Sequence, residues 1–138
     1  MWNRLPQPKK GNLYRATIDP TAAVSDPKLA PYFTGLALQL VLTSSENSPE
    51  LEVRAVCFGG GVRSRWHRHL HPQIVFVLSG VGLLGIDDAE QEVRPGEVIT
   101  LPARVWHWHG ASVHTEVPML SIMRSDPIQW RESLGGTT

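Results

Sequence analysis

Gly61–Gly80, GVRSRWHRHLHPQIVFVLSG, decides how the chain is read. His67 and His69 stand two residues apart in it, and Gln73 follows four residues later. In a β-strand, residues two apart point to the same face, about 7 Å from one another along the chain. An H-x-H strand therefore aims two imidazoles into one space, and a third from another strand can meet them there. Pro102–Ala111, PARVWHWHGA, supplies that third in His107. All six histidines fall between His67 and His114, and five of them lie in these two stretches. The pattern is that of a metal site with His67, His69, Gln73 and His107 as ligands.

Three imidazole nitrogens and one amide oxygen suit a single divalent transition ion per chain, and softness leaves Mn, Fe, Co, Ni, Cu and Zn all open. Every donor is neutral. A glutamate at position 73 would cancel one unit of the ion's charge, whereas glutamine leaves it whole and the ion a stronger Lewis acid. Four protein ligands leave positions free on a five- or six-coordinate ion, as catalysis requires. The plainer reading, surface or interface histidines on a β-domain, suits one lone histidine better than two clusters in register with a polar partner.

The rest of the chain frames this site. At 138 residues, one domain is expected. Thirteen basic residues balance thirteen acidic ones and no basic stripe runs along any segment, so neither nucleic acid nor a membrane surface is an expected partner. Cys57 is the sole cysteine, which excludes an internal disulfide and a cysteine-based zinc site. No apolar run approaches the roughly 18 residues of a membrane span, and MWNRLPQPKKGNLYR has no secretory h-region, so a cytoplasmic location is expected.

Residues 1–33 hold five of the eleven prolines and read as an arm over the domain, with at most a short helical turn near Asp26 to Ala30. Trp2, Leu5, Leu13 and Tyr14 favour packing over a loose tail. From Thr34, short runs rich in Val, Ile and Leu alternate with Gly, Pro, Asn and Asp clusters: TGLALQLVLT, LEVRAVCF, QIVFVLSG, VGLLGI, EVITLP, VPMLSIM. Strands spaced roughly 8–12 residues apart signal an all-β sandwich or barrel over residues 34–125. VGLLGI and QEVR predict a hairpin with the four-residue connection DDAE. Residues 126–138 read as a short helix, with Asp126 as cap and Pro127 at its first position, followed by a Gly-Gly-Thr-Thr tail.

These residues resemble the cupins. The first cupin motif, G-x5-H-x-H-x3-E-x6-G, falls on Gly61, His67, His69, Gln73 and Gly80, with glutamine in the glutamate's place. The second, G-x5-P-x-G-x2-H-x3-N, falls on Gly96, Pro102, Arg104, His107 and Ala111; Arg104 replaces a turn glycine and Ala111 the asparagine. WHRHLHPQ and WHWHGA, with YFTG upstream and DPIQW downstream, are similar to the small cupins associated with carboxymuconolactone decarboxylases, some of which are manganese-dependent hydroxynitrile lyases. The resemblance implies a double-stranded β-helix barrel, a homodimer, and His67, His69, Gln73 and His107 as ligands of an ion, with manganese or iron favoured. The lyases carry a further histidine twelve residues after the last ligand; here that position is Met119, which cannot take a proton.

His109 shares the parity of His107 and faces the same interior, where an imidazole can serve as general acid or base. His71, beside Pro72, is expected to be exposed. Arg65 has the parity of His67, within reach of an anionic substrate, although a solvated charge is the commoner outcome. Trp106 and Trp108 alternate with the histidines and face away from the ion; Met119, Ile122 and Met123 read as core or pocket wall, and Cys57 as buried and inert. The sequence thus predicts a metal-dependent enzyme acting on a small oxygenated or aromatic molecule by lyase, isomerase or decarboxylase chemistry, with His109 moving a proton. The alternatives are an Fe or Mn dioxygenase and a non-catalytic small-ligand-binding barrel.

Overall fold

The computed structural model describes residues 13–44 and 46–131. Trp2, Leu5 and the Gly-Gly-Thr-Thr tail lie outside the described residues.

Among the described residues ten strands form: β1 Ala37–Thr43, β2 Glu52–Phe58, β3 His67–Arg68, β4 Gln73–Val77, β5 Gly82–Ile86, β6 Ala89–Val93, β7 Ile99–Leu101, β8 His107–Ala111, β9 Val117–Met123 and β10 Gln129–Trp130. They pair antiparallel in two five-stranded sheets, ordered β1-β2-β9-β4-β7 and β10-β3-β8-β5-β6. The chain is all-β, as the alternating runs predict.

Alternation sorts each strand into an inner and an outer face. Phe58 of β2, Val75 and Val77 of β4, Val117 and Met119 of β9 meet Leu84 and Val93 of the other sheet in the main core. Each such burial stabilises by about 1.5–3 kcal/mol. The opposite parity of the first sheet gives a second cluster, in which Leu42, Ala55 and Leu120 are buried and Leu40, Val53 and Phe76 pack against them. Strand β8 is buried at all five positions, because Trp108 and Gly110 on its far face are also covered. Gly85 makes that possible: it lies opposite Trp108 in the β5–β8 pairing, and a β-carbon there would overlap the indole.

The described part of the arm is ordered by short capped turns. Asp19 caps a 3-10 turn, Pro20–Ala22, by accepting the Thr21 N–H, and a second turn spans Ala30–Tyr32. Val24 then exchanges both backbone hydrogen bonds with Gln39, which covers the free edge of β1. No helix among the described residues is long and apolar enough to cross a membrane.

Two local expectations are corrected. The β5–β6 connection is two residues, Asp87-Asp88, not four; Asp87 adopts φ 52°, the left-handed conformation that tight hairpin turns use. The segment after β9 forms no helix at Asp126. It runs extended and then pairs as β10 with β3. Its capping signal is local, and a helix that short is marginal alone. Tertiary partners win instead: the Asp126 carboxylate binds His71 Nδ1 at 2.6 Å, and Trp130 stacks on Tyr32 at 4.1 Å.

Candidate metal centre

The site begins with a cross-strand pair. His67 of β3 lies directly opposite His107 of β8, and their rings stand 4.5 Å apart. His69 follows just beyond β3, its ring 5.3 Å from His67 and 5.5 Å from His107. Side-chain nitrogens of His67, His69 and His107 fall within 4.8 Å of one another, and all three residues are buried. Gln73 enters from β4 of the other sheet and is 4% exposed.

Backbone carbonyls aim the rings. Arg65 O accepts from His67 Nδ1 at 2.8 Å, and Val105 O accepts from His107 Nδ1 at 2.9 Å. With the proton fixed on Nδ1, the lone pair of each ring lies on Nε2 and faces inward, the arrangement metal-binding histidines use. The loop before β8 is held to its neighbour by the Arg104 N–H, which donates to His69 O at 2.8 Å. Arg104, standing where the cupin motif has glycine, keeps a glycine-like φ of 65°. The loop geometry therefore survives the replacement, at the strain cost of a left-handed non-glycine residue.

The orphaned atoms identify what fits here. Both nitrogens of His69, Gln73 Oε1 and His107 Nε2 are buried without a hydrogen-bond partner. Each such atom costs about 1–3 kcal/mol when left unmet. One ion can take a single nitrogen of His69 together with Gln73 Oε1 and His107 Nε2, and with His67 added, three imidazoles plus an amide oxygen suit a divalent transition metal. The three buried histidines could hold a metal ion.

Electrostatics keep the donors free. Burial pushes the His67 pKa well below the usual value, and the neighbouring His107 reinforces it. Burial takes His107 down to about 4. His69 is lowered by burial against the opposing pull of Asp126. All three are neutral near pH 7, the form that ligates.

His109, 7% exposed, joins them from β8; its Nε2 is 3.0 Å from His67 Nε2. Since His67 is protonated on Nδ1, its Nε2 is the acceptor and His109 Nε2–H the donor, so His109 and an ion compete for the one lone pair of His67 Nε2; His109 Nδ1 is left buried without a partner. Burial, then His67, holds its pKa far below the ordinary range.

His67, His69, Gln73 and His109 line one cavity of about 60 Å3, with Met119 and Trp130 in its wall. That is room for several waters or one compact organic molecule. The remaining candidates lie elsewhere. His71 and His114 are exposed, and Arg65 serves the site through its carbonyl. Trp106 sits under the Arg68 guanidinium and Trp108 under Arg63, both off the cavity. Cys57 is half-buried rather than buried, with burial raising its pKa. The cavity also contains residues that sequence reasoning passed over: Arg54, Gln39 and Ser121. Arg54 shares the parity of Val56 and Phe58 in LEVRAVCF, which was the available signal.

The comparisons with known proteins bear on the family and the fold. The Cupin domain family matches residues 55–123. The (R)-mandelonitrile lyase of Granulicella tundricola is 29% identical over 107 residues, 75% of this chain and 82% of that protein. Among solved structures, a cupin-like protein of Thermotoga maritima superposes with a TM-score of 0.72 at 28% identity, covering 83% of this chain and 87% of its own. A cupin-2 domain from Rhodospirillum rubrum gives 0.68 at 24% identity over 88% and 82%, a likeness of fold alone.

Proposed function

The chain belongs to the cupin family, and from that membership we propose that it is a metal-dependent enzyme of lyase, isomerase or decarboxylase type acting on a small oxygenated molecule. The observation that carries the reading is the set of buried, partnerless donor atoms on His69, Gln73 and His107, the first two of these residues lining the cavity. His67, His69, Gln73 and His107 would hold one divalent ion, with manganese and iron the first to test. When bound, the ion supplies Lewis acidity toward a substrate oxygen.

The protein's own groups do the rest. His109 is the proton carrier: buried, inside the cavity and neutral near pH 7, it accepts a proton first and returns it later. Its depressed basicity makes the return downhill. Trp130 and Phe33 wall the cavity and limit water. Met119, also in the wall, offers packing and no proton.

The test is elemental mass spectrometry of full-length, tag-free protein purified without chelators or nickel resin. About one manganese or iron per chain is expected; no bound metal after reconstitution would overturn the reading. Turnover with and without oxygen then separates redox-neutral chemistry from a dioxygenase, and (R)-mandelonitrile, named in the Granulicella relative, is the first substrate to try. His109→Ala is expected to keep its metal and lose about 100-fold or more in turnover. Normal turnover in that variant would remove the proton-carrier role.

We extend the proposal to a homodimer joined over the outer face of the first sheet. Leu40, Val53 and Phe76 are only partly buried there, and Ile74 is 36% exposed. Light scattering on the eluting protein decides the point, with a monomer as the contrary result.

A further inference from the structure

We propose that the substrate of this cavity carries a carboxylate, and that Arg54 binds it at the end of the cavity away from the histidines. The inference rests on the reading of the cavity as a metal-dependent active site.

Arg54 is an unusual wall residue. It stands on the inner face of β2, in the same cavity lining as His67, His69 and Gln73. Its Nε donates to Glu52 Oε1 at 2.7 Å, and Nη1 donates to Gln39 Oε1 at 3.4 Å. Nη2 also meets Glu52 Oε1, at 2.5 Å. A guanidinium has five N–H donors in a planar fork. The second N–H of each terminal nitrogen has no protein acceptor among the described residues. Those two form the end-on pair that matches the two oxygens of a carboxylate.

Stability does not explain the pair. Desolvating an ion pair commonly costs as much as its attraction returns, and an apolar pair of similar volume would serve a barrel wall equally well. Its place does explain it. Arg54 is the one lysine or arginine among the described residues lining this cavity, and Glu52, which fixes the guanidinium through Nε and Nη2, leaves the end-on pair for a ligand.

The spacing suits a compact acid. Arg54 lies opposite Ser121 of β9, which lies opposite Val75 of β4, two residues from Gln73. Arg54 is therefore two strands and one inner-face step from Gln73, roughly 10 Å across and 7 Å along the sheet. Arg54 and Gln73 both project inward, so the gap between their ends is shorter, about the length of a small organic acid. Gln39 and Ser121, both 6% exposed, flank the guanidinium and add polar groups at that end. A neutral cyanohydrin offers the end-on pair of Arg54 no carboxylate.

The test is calorimetric titration of the metal-loaded full-length protein with benzoate and, as its neutral counterpart, benzyl alcohol. Benzoate is expected to bind at least about tenfold tighter. Arg54→Gln should erase that preference and Arg54→Lys should keep part of it. Glu52→Gln should tighten benzoate severalfold by freeing the fork. A merely structural ion pair would give no such gain. Metal content is measured on the same samples. A benzoate preference that survives in folded, metal-loaded Arg54→Gln would put the carboxylate on the ion and overturn the proposal. Equal binding of the two probes by the wild type, or no binding of benzoate, would overturn it as well. If Arg54→Gln fails to fold, an unchanged benzoate affinity in Glu52→Gln does the same. Wild-type protein that never holds metal yet prefers benzoate would refute the metal reading and leave Arg54 standing.

Discussion

The two sheets furnish the cavity with opposite chemistry. From β3 and β8 come imidazoles, neutral because burial strips the charged form of water, and aimed by the carbonyls of Arg65 and Val105. From β1, β2 and β9 come a paired guanidinium and carboxylate with an amide and a hydroxyl beside them. Gln73 of β4 is the one donor of the metal set that crosses from the second group to the first. Neutral donors can be gathered in a dry interior because each leaves a lone pair for a cation. Charged groups persist there only in pairs. The difference teaches that neutral imidazoles gather at one end, within reach of the Asp126 and Glu52 charges, while the other end holds a partly exposed, balanced ion pair.

Exchanging ligands breaks the comparison most sharply. His107→Ala removes a ring from the cross-strand pair and is expected to weaken metal binding by on the order of 100-fold or more, while Gln73→Ala costs on the order of tenfold, both with the barrel still folded. Equal losses by calorimetric metal titration would mean that the two sheets contribute alike.

Acid sharpens it next. The folded His107 has a pKa of about 4, against an ordinary 6.5, so as pH falls the unfolded chain takes up the proton first. Stability of the metal-free protein is therefore full above about pH 6.5 and falls as pH drops toward 4, by about 3 kcal/mol from His107 alone. His67, His69 and His109 act in the same direction. Urea melts at pH 7 and pH 5 check this, and His107→Gln should flatten the slope. A stability that rose on acidification would place positive charge among the imidazoles and contradict the contrast.

The smallest effect is at Arg104. Its φ of 65° suits glycine, so Arg104→Gly should relieve about 1 kcal/mol of strain, less what the freer unfolded chain takes back. A thermal melt reads the net change. A clear loss would mean that the arginine side chain itself holds the loop under His69.

The strands were legible because they rest on period two. The clustering of His67, His69 and His107 was legible from their spacing, although His69 falls just outside the two-residue β3 and is brought in by the bend that follows it. The C-terminal segment was not, since Asp126-Pro127 is a sound local helix start whose side chain finds a better partner in His71, 55 residues away. DDAE failed similarly: Asp87 tolerates the left-handed turn, which let β6 begin two residues earlier, at Ala89. Arg54 was overlooked for another reason. A charged residue in a strand ordinarily marks the solvent face, and only the parity it shares with Val56 and Phe58, together with its pairing to Ser121, turns it inward.

The stack of Trp130 on Tyr32 has an optical consequence. The two rings are 8° from parallel, and the indole also lies 4.8 Å from the His67 ring. A paramagnetic ion held on that ring would quench the indole's emission. If His67 holds a paramagnetic ion, Trp130 emission is expected to dim as manganese or iron is added and not as zinc is added. Trp130→Phe removes this signal and keeps an aromatic ring in the wall.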